Sequence, residues 1–195
     1  MDSVANMSLY QTLNEKTSGL HDAIETVPVL TELSKGTICL EQYKQLTSLF
    51  YGFWQPAERM LESINLSIPW VSRAHHLHHD LIKLGYSDDD ICGISQCMLL
   101  PDITTAAQGV GMLYVYQGSQ MGGALINKAL SNANVIPEEC RTFYIPHTSN
   151  LAQYWNEFTN AIDHASFSET EITQAVSMAR ETFLTLTCWL VLPKN

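Results

Sequence analysis

The stretch TSGLHDAIE places His21 and Glu25 four residues apart, one turn apart on a single face if the segment is helical. A neutral imidazole there is a competent axial ligand for haem iron, and a carboxylate one turn on can orient the ring through its second N–H. The same pair also fits an ordinary surface contact, which is common at this spacing. A denser run is RAHHLHHD, with His75, His76, His78, His79 and Asp80. Helical spacing lets His75 with His79, or His76 with Asp80, form a two-point metal chelate. His76 and His78 point in different directions on a regular helix, so the run is not one site, and a solvated face describes it better.

The cysteines Cys39, Cys92, Cys97, Cys140 and Cys188 are odd in number, scattered and without CxxC pairing. Reduced thiols fit them better than a disulfide framework. Ser119 lies in GSQMGG, which is not the GxSxG elbow and follows no predicted strand, so a serine hydrolase is disfavoured.

The run LYVYQGSQMGG, residues 113–123, carries Gly118, Gly122 and Gly123 inside an otherwise helical pattern. Each interior glycine costs about 1 kcal/mol relative to alanine, so some gain must offset them. Gly118 and Gly122 share a face, with Gly123 beside them, and a bare strip of backbone admits either a crossing helix or a flat ligand.

The elements that must position these residues are helical throughout, because the apolar residues recur with period 3.6 and hardly anywhere with period 2. Ser8 with Gln11 forms a predicted capping box, followed by Leu9, Leu13, Leu20 and Ile24, with an end near Pro28. A second helix runs from about Leu40 to Ser63, with a bend or break expected at Gly52 and Pro56. The next spans about Trp70 to Leu84 and stops at Gly85; it sends Leu77, Leu81 and Leu84 to the core, while Arg73 is expected to seek a carboxylate such as Glu58. DDDICGISQCMLLPD reads as a connection with one short helical turn. The glycine-bearing helix covers about Thr105 to Leu130, a loop with Pro137 and Pro146 follows, then a helix from Leu151 to Asp163. The last begins at a second capping box, Ser168 with Glu171.

The chain has 195 residues, 46% of them hydrophobic, enough for one domain over 1–195 with a real core. A net charge of −10 leaves no basic stripe, which makes nucleic acid and anionic membranes poor partners. No apolar run approaches the roughly 20 residues of a membrane span, and the N-terminus has neither a basic start nor an apolar h-region, so a cytoplasmic location is expected.

Taken together, these stretches resemble the heme oxygenase family, especially its bacterial members. LNEKTSGLHDAIE is similar to the family's opening Leu-x-x-x-Thr-x-x-x-His-x-x-x-Glu, and EQYKQLTSLFYGFWQPAERML to its tyrosine-rich second helix with a Pro-x-Glu ending. RAHHLHHDLIKLGY resembles Arg-x-x-x-Leu-x-x-Asp-Leu-x-x-Leu-Gly, and GMLYVYQGSQMGG resembles the distal Tyr-Val-x-x-Gly-Ser-x-x-Gly-Gly. The resemblance runs in order from about residue 9 to residue 190. It implies an all-α, single-domain fold with haem between a proximal and a distal helix. His21 would be the iron ligand and Glu25 its partner, while Gly118, Gly122 and Gly123 would line the opposite face and Ser119 would hold water for proton delivery. Tyr114 could offer a hydroxyl, and Lys128 and Lys16 could pair with the propionates.

Two positions depart from the pattern. Asn14 stands where many members carry a basic residue that pairs with a propionate, and Ser119 where some carry an aspartate. The implied activity is oxygen-dependent cleavage of haem at a meso carbon to biliverdin, carbon monoxide and ferrous iron. Haem would be both cofactor and substrate, and electrons would come from an external donor such as a ferredoxin or reductase, since the chain has no flavin or nicotinamide fingerprint. The departures keep open a non-catalytic haem carrier or sensor on the same fold. A helical enzyme of thiaminase-like architecture, using a cysteine nucleophile, is the more distant alternative.

Overall fold

The computed structural model describes residues 7–64 and 66–191. Among the described residues eight α-helices follow one another: α1 (Leu9–Glu25), α2 (Pro28–Lys35), α3 (Leu40–Glu62), α4 (Ala74–Lys83), α5 (Asp88–Cys92), α6 (Ala106–Ala133), α7 (Leu151–His164) and α8 (Glu169–Val191). Two short 3-10 turns, Glu138–Cys140 and Thr142–Tyr144, join α6 to α7. Among the described residues there is no β-strand, as the helical periodicity predicts. The central pair is α6 against α8; α1 lies along α8, α3 meets α4 and α8, and α2 leans on α6. All of them share one core, in which Leu13, Tyr43, Phe53, Trp54, Tyr116 and Phe158 are essentially removed from water.

Both predicted capping boxes form. The Gln11 N–H donates to Ser8 Oγ at 3.2 Å while the Ser8 N–H donates to Gln11 Oε1 at 3.0 Å. The Ser168 N–H likewise donates to Glu171 Oε2 at 2.8 Å. A third box, Thr105 with Gln108, starts α6. Each satisfies backbone donors that a helix start leaves without partners.

Three features differ from those expected. The first helix ends at Glu25, near Pro28 as expected, but a short helix that was not foreseen, α2, follows at once, and Pro28 occupies its first turn, where a missing N–H costs nothing. The expected break in α3 is absent: the helix continues through Gly52 and Pro56. Pro56 has no N–H for the Gly52 carbonyl four residues back, and that carbonyl instead accepts from the Cys97 N–H at 2.8 Å. The approach depends on glycine, because a Cβ at Gly52 would collide with the Ser95 carbonyl oxygen. The proline's lost bond is thus replaced from outside the helix.

The third difference is at α4, which starts at Ala74 rather than near Trp70. Its N-terminus is capped by a side chain from another helix. Glu58 of α3, 5% exposed, accepts from the backbone N–H groups of Arg73 at 2.6 Å and Ala74 at 2.8 Å, and from the Ser72 hydroxyl at 2.7 Å. The Tyr116 hydroxyl donates to the same carboxylate. A buried carboxylate at a helix N-terminus is stabilised by these donors and by the helix dipole. Arg73 therefore meets Glu58 through its backbone, and its guanidinium lies 4.5 Å from the centre of the Phe143 ring, which corrects the expected side-chain pairing.

Candidate functional site

His21, Thr17 and Glu25 recur at four-residue steps along one face of α1. Both members of the His21–Glu25 pair are exposed, with Nδ1 3.7 Å from Glu25 Oε1, and the imidazole sits edge-on to Phe183 of α8 at 6.1 Å between ring centres. Nδ1 faces the Glu25 carboxylate, which leaves Nε2 as the ring nitrogen that a ligand role would use. Asn14, one turn before Thr17, is exposed. Lys16 pairs with its neighbour Glu15 at 3.0 Å, and its backbone carbonyl accepts from Arg180 Nη1 at 2.8 Å.

On α6 the matching four-residue series is Tyr114, Gly118 and Gly122. The two series meet at Tyr114, whose phenol is buried against Thr17; burial raises its pKa, and the hydrogen bond with the Thr17 side chain lowers it in part. His21 and Gly118 stand one turn beyond this contact on their respective helices. Tyr114 also closes an aromatic corner with Tyr10 of α1 and Trp155 of α7, the three ring pairs lying 6.0–6.4 Å apart. A bond of 2.8 Å from the Tyr10 N–H to Asp163 Oδ1 ties α1 to α7 at this corner.

The glycines divide into two groups by what surrounds them. At Gly111 a Cβ would collide with the Ala175 carbonyl of α8, and at Gly109 it would lie 2.9 Å from Leu66. Gly111, at the very start of the quoted motif, is thus the glycine that lets α6 pack closely on α8, while Gly109 faces only the mobile end of the Leu66 side chain. At Gly118 a Cβ would reach only ordinary contact, 3.6 Å from Trp155 Cη2, and at Gly122 it would meet nothing within 4 Å. Helix crossing therefore does not require glycine at 118 or 122. Gly123 is buried and turned away from this face, with Tyr144 3.8 Å from its Cβ position. Ser119 is exposed and donates its hydroxyl to the Tyr116 carbonyl at 2.7 Å, and Lys128 is exposed further along the helix. On the other side of α6, Gln117 and Gln120 are buried. Gln117 Oε1 accepts from the Tyr154 hydroxyl at 2.8 Å and from Gln120 Nε2, while Gln120 Oε1 has no hydrogen-bond partner among the described residues.

The histidine run stays apart from this constellation. His75 and His78 line a shallow groove of about 290 Å3 built by α3 and the start of α4, and the His75 and His76 rings lie 4.1 Å apart. Asp80, the expected chelating partner of His76, is fully buried and engaged: it accepts from the Thr142 N–H at 2.8 Å, the Thr142 hydroxyl at 2.6 Å and the Phe143 N–H at 3.0 Å. Among the described residues no group of three or more His, Cys, Asp or Glu side chains is placed to hold a metal ion. No disulfide joins the cysteines, and no described helix is long and apolar enough to cross a membrane.

Sequence reasoning did not single out Trp155 or Phe183 for the site, and met Thr17 only as a position of the quoted motif, with no role assigned. Phe183 falls in an apolar stripe and Trp155 in a helix of otherwise mixed character, and neither position signals which helix it will face.

Solved structures of other proteins share this fold. A heme oxygenase from Leptospira interrogans superposes with a TM-score of 0.79 at 23% identity, over 94% of this chain and 98% of that one. Heme oxygenase-1 from Synechocystis, solved in complex with heme, superposes with a TM-score of 0.77 at 18% identity, over 94% and 91%. A domain of unknown function with a heme oxygenase-like fold from Shewanella denitrificans gives 0.71 at 13%, over 95% and 91%. None of the curated proteins matches the chain in sequence. At these identities the solved structures establish the fold, and the sequence model of the heme oxygenase family matches residues 7–191, so the chain belongs to that family.

Proposed function

We propose that the chain binds haem between α1 and α6 and cleaves it, with molecular oxygen and electrons from an external donor such as a ferredoxin or reductase, to biliverdin, carbon monoxide and ferrous iron. The observation that carries this reading is the contrast among the glycines of α6. Packing accounts for Gly111, but at Gly122 a side chain would meet nothing, so the cost of glycine there is offset by something other than a neighbouring helix. A flat ligand resting against bare backbone supplies that offset.

The residues on both sides fit the group. His21 presents an exposed imidazole restrained by Glu25 and Phe183, suited to be the iron ligand. Tyr114 and the rings around it offer an apolar edge. Gly118 and Gly122 leave room above the macrocycle, and Gly123 supports that backbone from the Tyr144 side. Bound haem supplies both the iron that engages oxygen and the meso carbon that is cleaved. Ser119, whose proton is committed to the Tyr116 carbonyl, retains acceptor capacity and orients water at the N-terminal end of the glycine pair. With Asn14 uncharged, Lys128 and Lys16 are the cations that meet the propionates.

Hemin added to the purified protein should give a Soret band that His21→Ala abolishes or shifts, and reductant with oxygen should then convert it to bilin absorption. Absence of a Soret band would overturn the proposal. A Soret band that persists through reduction and oxygenation would favour the second reading, a haem carrier or sensor, for which Asn14 and Ser119 speak.

A further inference from the structure

We infer that His75 and His79 form a two-point site for a late first-row divalent cation such as Ni2+ or Zn2+, with water completing its coordination. The inference is independent of the haem reading. The two residues stand four apart on α4, which sets their Cβ atoms about 5–6 Å apart on one face of the helix. Metal–imidazole bonds are about 2.0–2.1 Å long, so two rings at this spacing close on one ion. Neutral imidazole selects nickel, copper and zinc over magnesium and calcium, which take oxygen ligands.

Both residues are exposed, and neither imidazole has a hydrogen-bond or ion-pair partner among the described residues. Other histidines are engaged. His21 faces Glu25, His164 Nδ1 lies 2.7 Å from the Asn160 carbonyl, and the His78 ring packs 6.0 Å from that of Tyr51. The His75 ring rests 4.1 Å from that of His76, a contact that steadies it without using its nitrogens.

A chelate on a short helix is ordinarily weakened by fraying, because the ion must first order the turn that carries its ligands. Here that turn is fixed at both ends. Glu58 accepts from the N–H groups of Arg73 and Ala74, just before His75, and Asp80, just after His79, is fully buried on the N–H groups of Thr142 and Phe143. The spacing of the two rings is therefore set before the ion arrives. Local charge also admits a cation. Burial, then the positive charge of His75, Arg73 and His79, pushes the His76 pKa down to about 4, so the histidine between the pair is neutral at neutral pH. The Arg73 guanidinium lies over the Phe143 ring, and the groove that His75 lines sets the carboxylates of Glu58 and Glu62 against the one guanidinium of Arg59. The net charge of −10 draws cations to the molecule as a whole.

The test titrates Ni2+ into the hemin-free protein in the presence of excess Mg2+, which occupies carboxylates. Calorimetry reports affinity, and paramagnetic broadening of backbone amide signals locates the ion. The wild type should show its strongest broadening at residues 75–79. His75→Gln and His79→Gln should each weaken that binding about tenfold or more, because a lone imidazole loses the effective concentration of its partner. His78→Gln, on the same turn, and His164→Gln should bind as the wild type does. Both ligand positions are exposed, so the substitutions should leave the melting temperature without metal unchanged, and a lost affinity then reports the site rather than the fold. Binding that survives both His75→Gln and His79→Gln, broadening centred elsewhere, or an equal loss on His78→Gln would overturn the inference and leave these imidazoles as a solvated face.

Discussion

At Gly122 folding and binding make opposite demands on one methyl group. The position is exposed and a Cβ there would meet no atom within 4 Å, so Gly122→Ala removes the entropic cost of a helix-interior glycine and should stabilise the hemin-free protein by about 1 kcal/mol in a urea melt. The same methyl stands on the face proposed for haem, so hemin affinity should fall about tenfold, a loss of ~1.4 kcal/mol. Stabilisation together with unchanged hemin affinity would remove Gly122 from the site. His76 carries a second residue-scale expectation. Burial first, then the positive charge of His75, Arg73 and His79, pushes its pKa from 6.5 down to about 4. The unfolded chain therefore binds more protons than the folded one between those values, and the stability that His76 contributes is complete above pH 6.5 and is lost as pH falls toward 4. His76→Gln should flatten the stability profile across that interval, and a profile as steep as the wild type's would place the titration elsewhere. Residues at this scale were legible where spacing within one helix defines them, as for His21 with Glu25. Trp155 was not, because its meaning lies in the glycine of another helix that it faces.

Period 3.6 located every long helix, but it does not see partners that arrive from elsewhere in the chain. The α3 helix survives Pro56 because the Cys97 N–H reaches the Gly52 carbonyl, and α4 begins late because Glu58 caps it from α3. Both are contacts between segments, so local pattern points to a break in one case and an early start in the other. The crossing of α6 with α8 shows the same limit. The sequence drew attention to Gly118 and Gly122 as candidates for close packing, whereas the close approach is made at Gly111, against the Ala175 carbonyl. Gly111→Ala should therefore destabilise the protein by about 1–3 kcal/mol, the usual cost of overpacking, although alanine is the better helix former. The contrast in sign with Gly122→Ala, one helix and two glycines, is the measurement that checks this, and equal effects at both positions would refute the division.

For the molecule as a whole, the composition was informative chiefly by what it disfavours, since ten net negative charges on 195 residues make nucleic acid a poor partner. The proposed place for haem is set by how α1, α6, α7 and α8 come together, so its binding should be coupled to folding. His21 and Phe183 belong to α1 and α8, Tyr114 and Gly118 to α6, and Trp155 to α7, so unfolding disperses every group proposed to hold the ligand. A ligand that binds only the folded chain adds RT ln(1 + [L]/Kd), about 2.7 kcal/mol at a hundredfold excess over Kd. For a domain of this size each kcal/mol is worth roughly 2–4 °C, so saturating hemin should raise the melting temperature by about 5–10 °C. Hemin is also greasy enough to adhere to unfolded chains, and that form of binding gives no rise or a fall, because it favours the unfolded state. His21→Ala separates the two cases. It removes the axial bond while leaving the apolar walls intact, so the shift should shrink in proportion to the lost affinity; a full shift in the variant would mean that hemin is held in the fold by something other than His21.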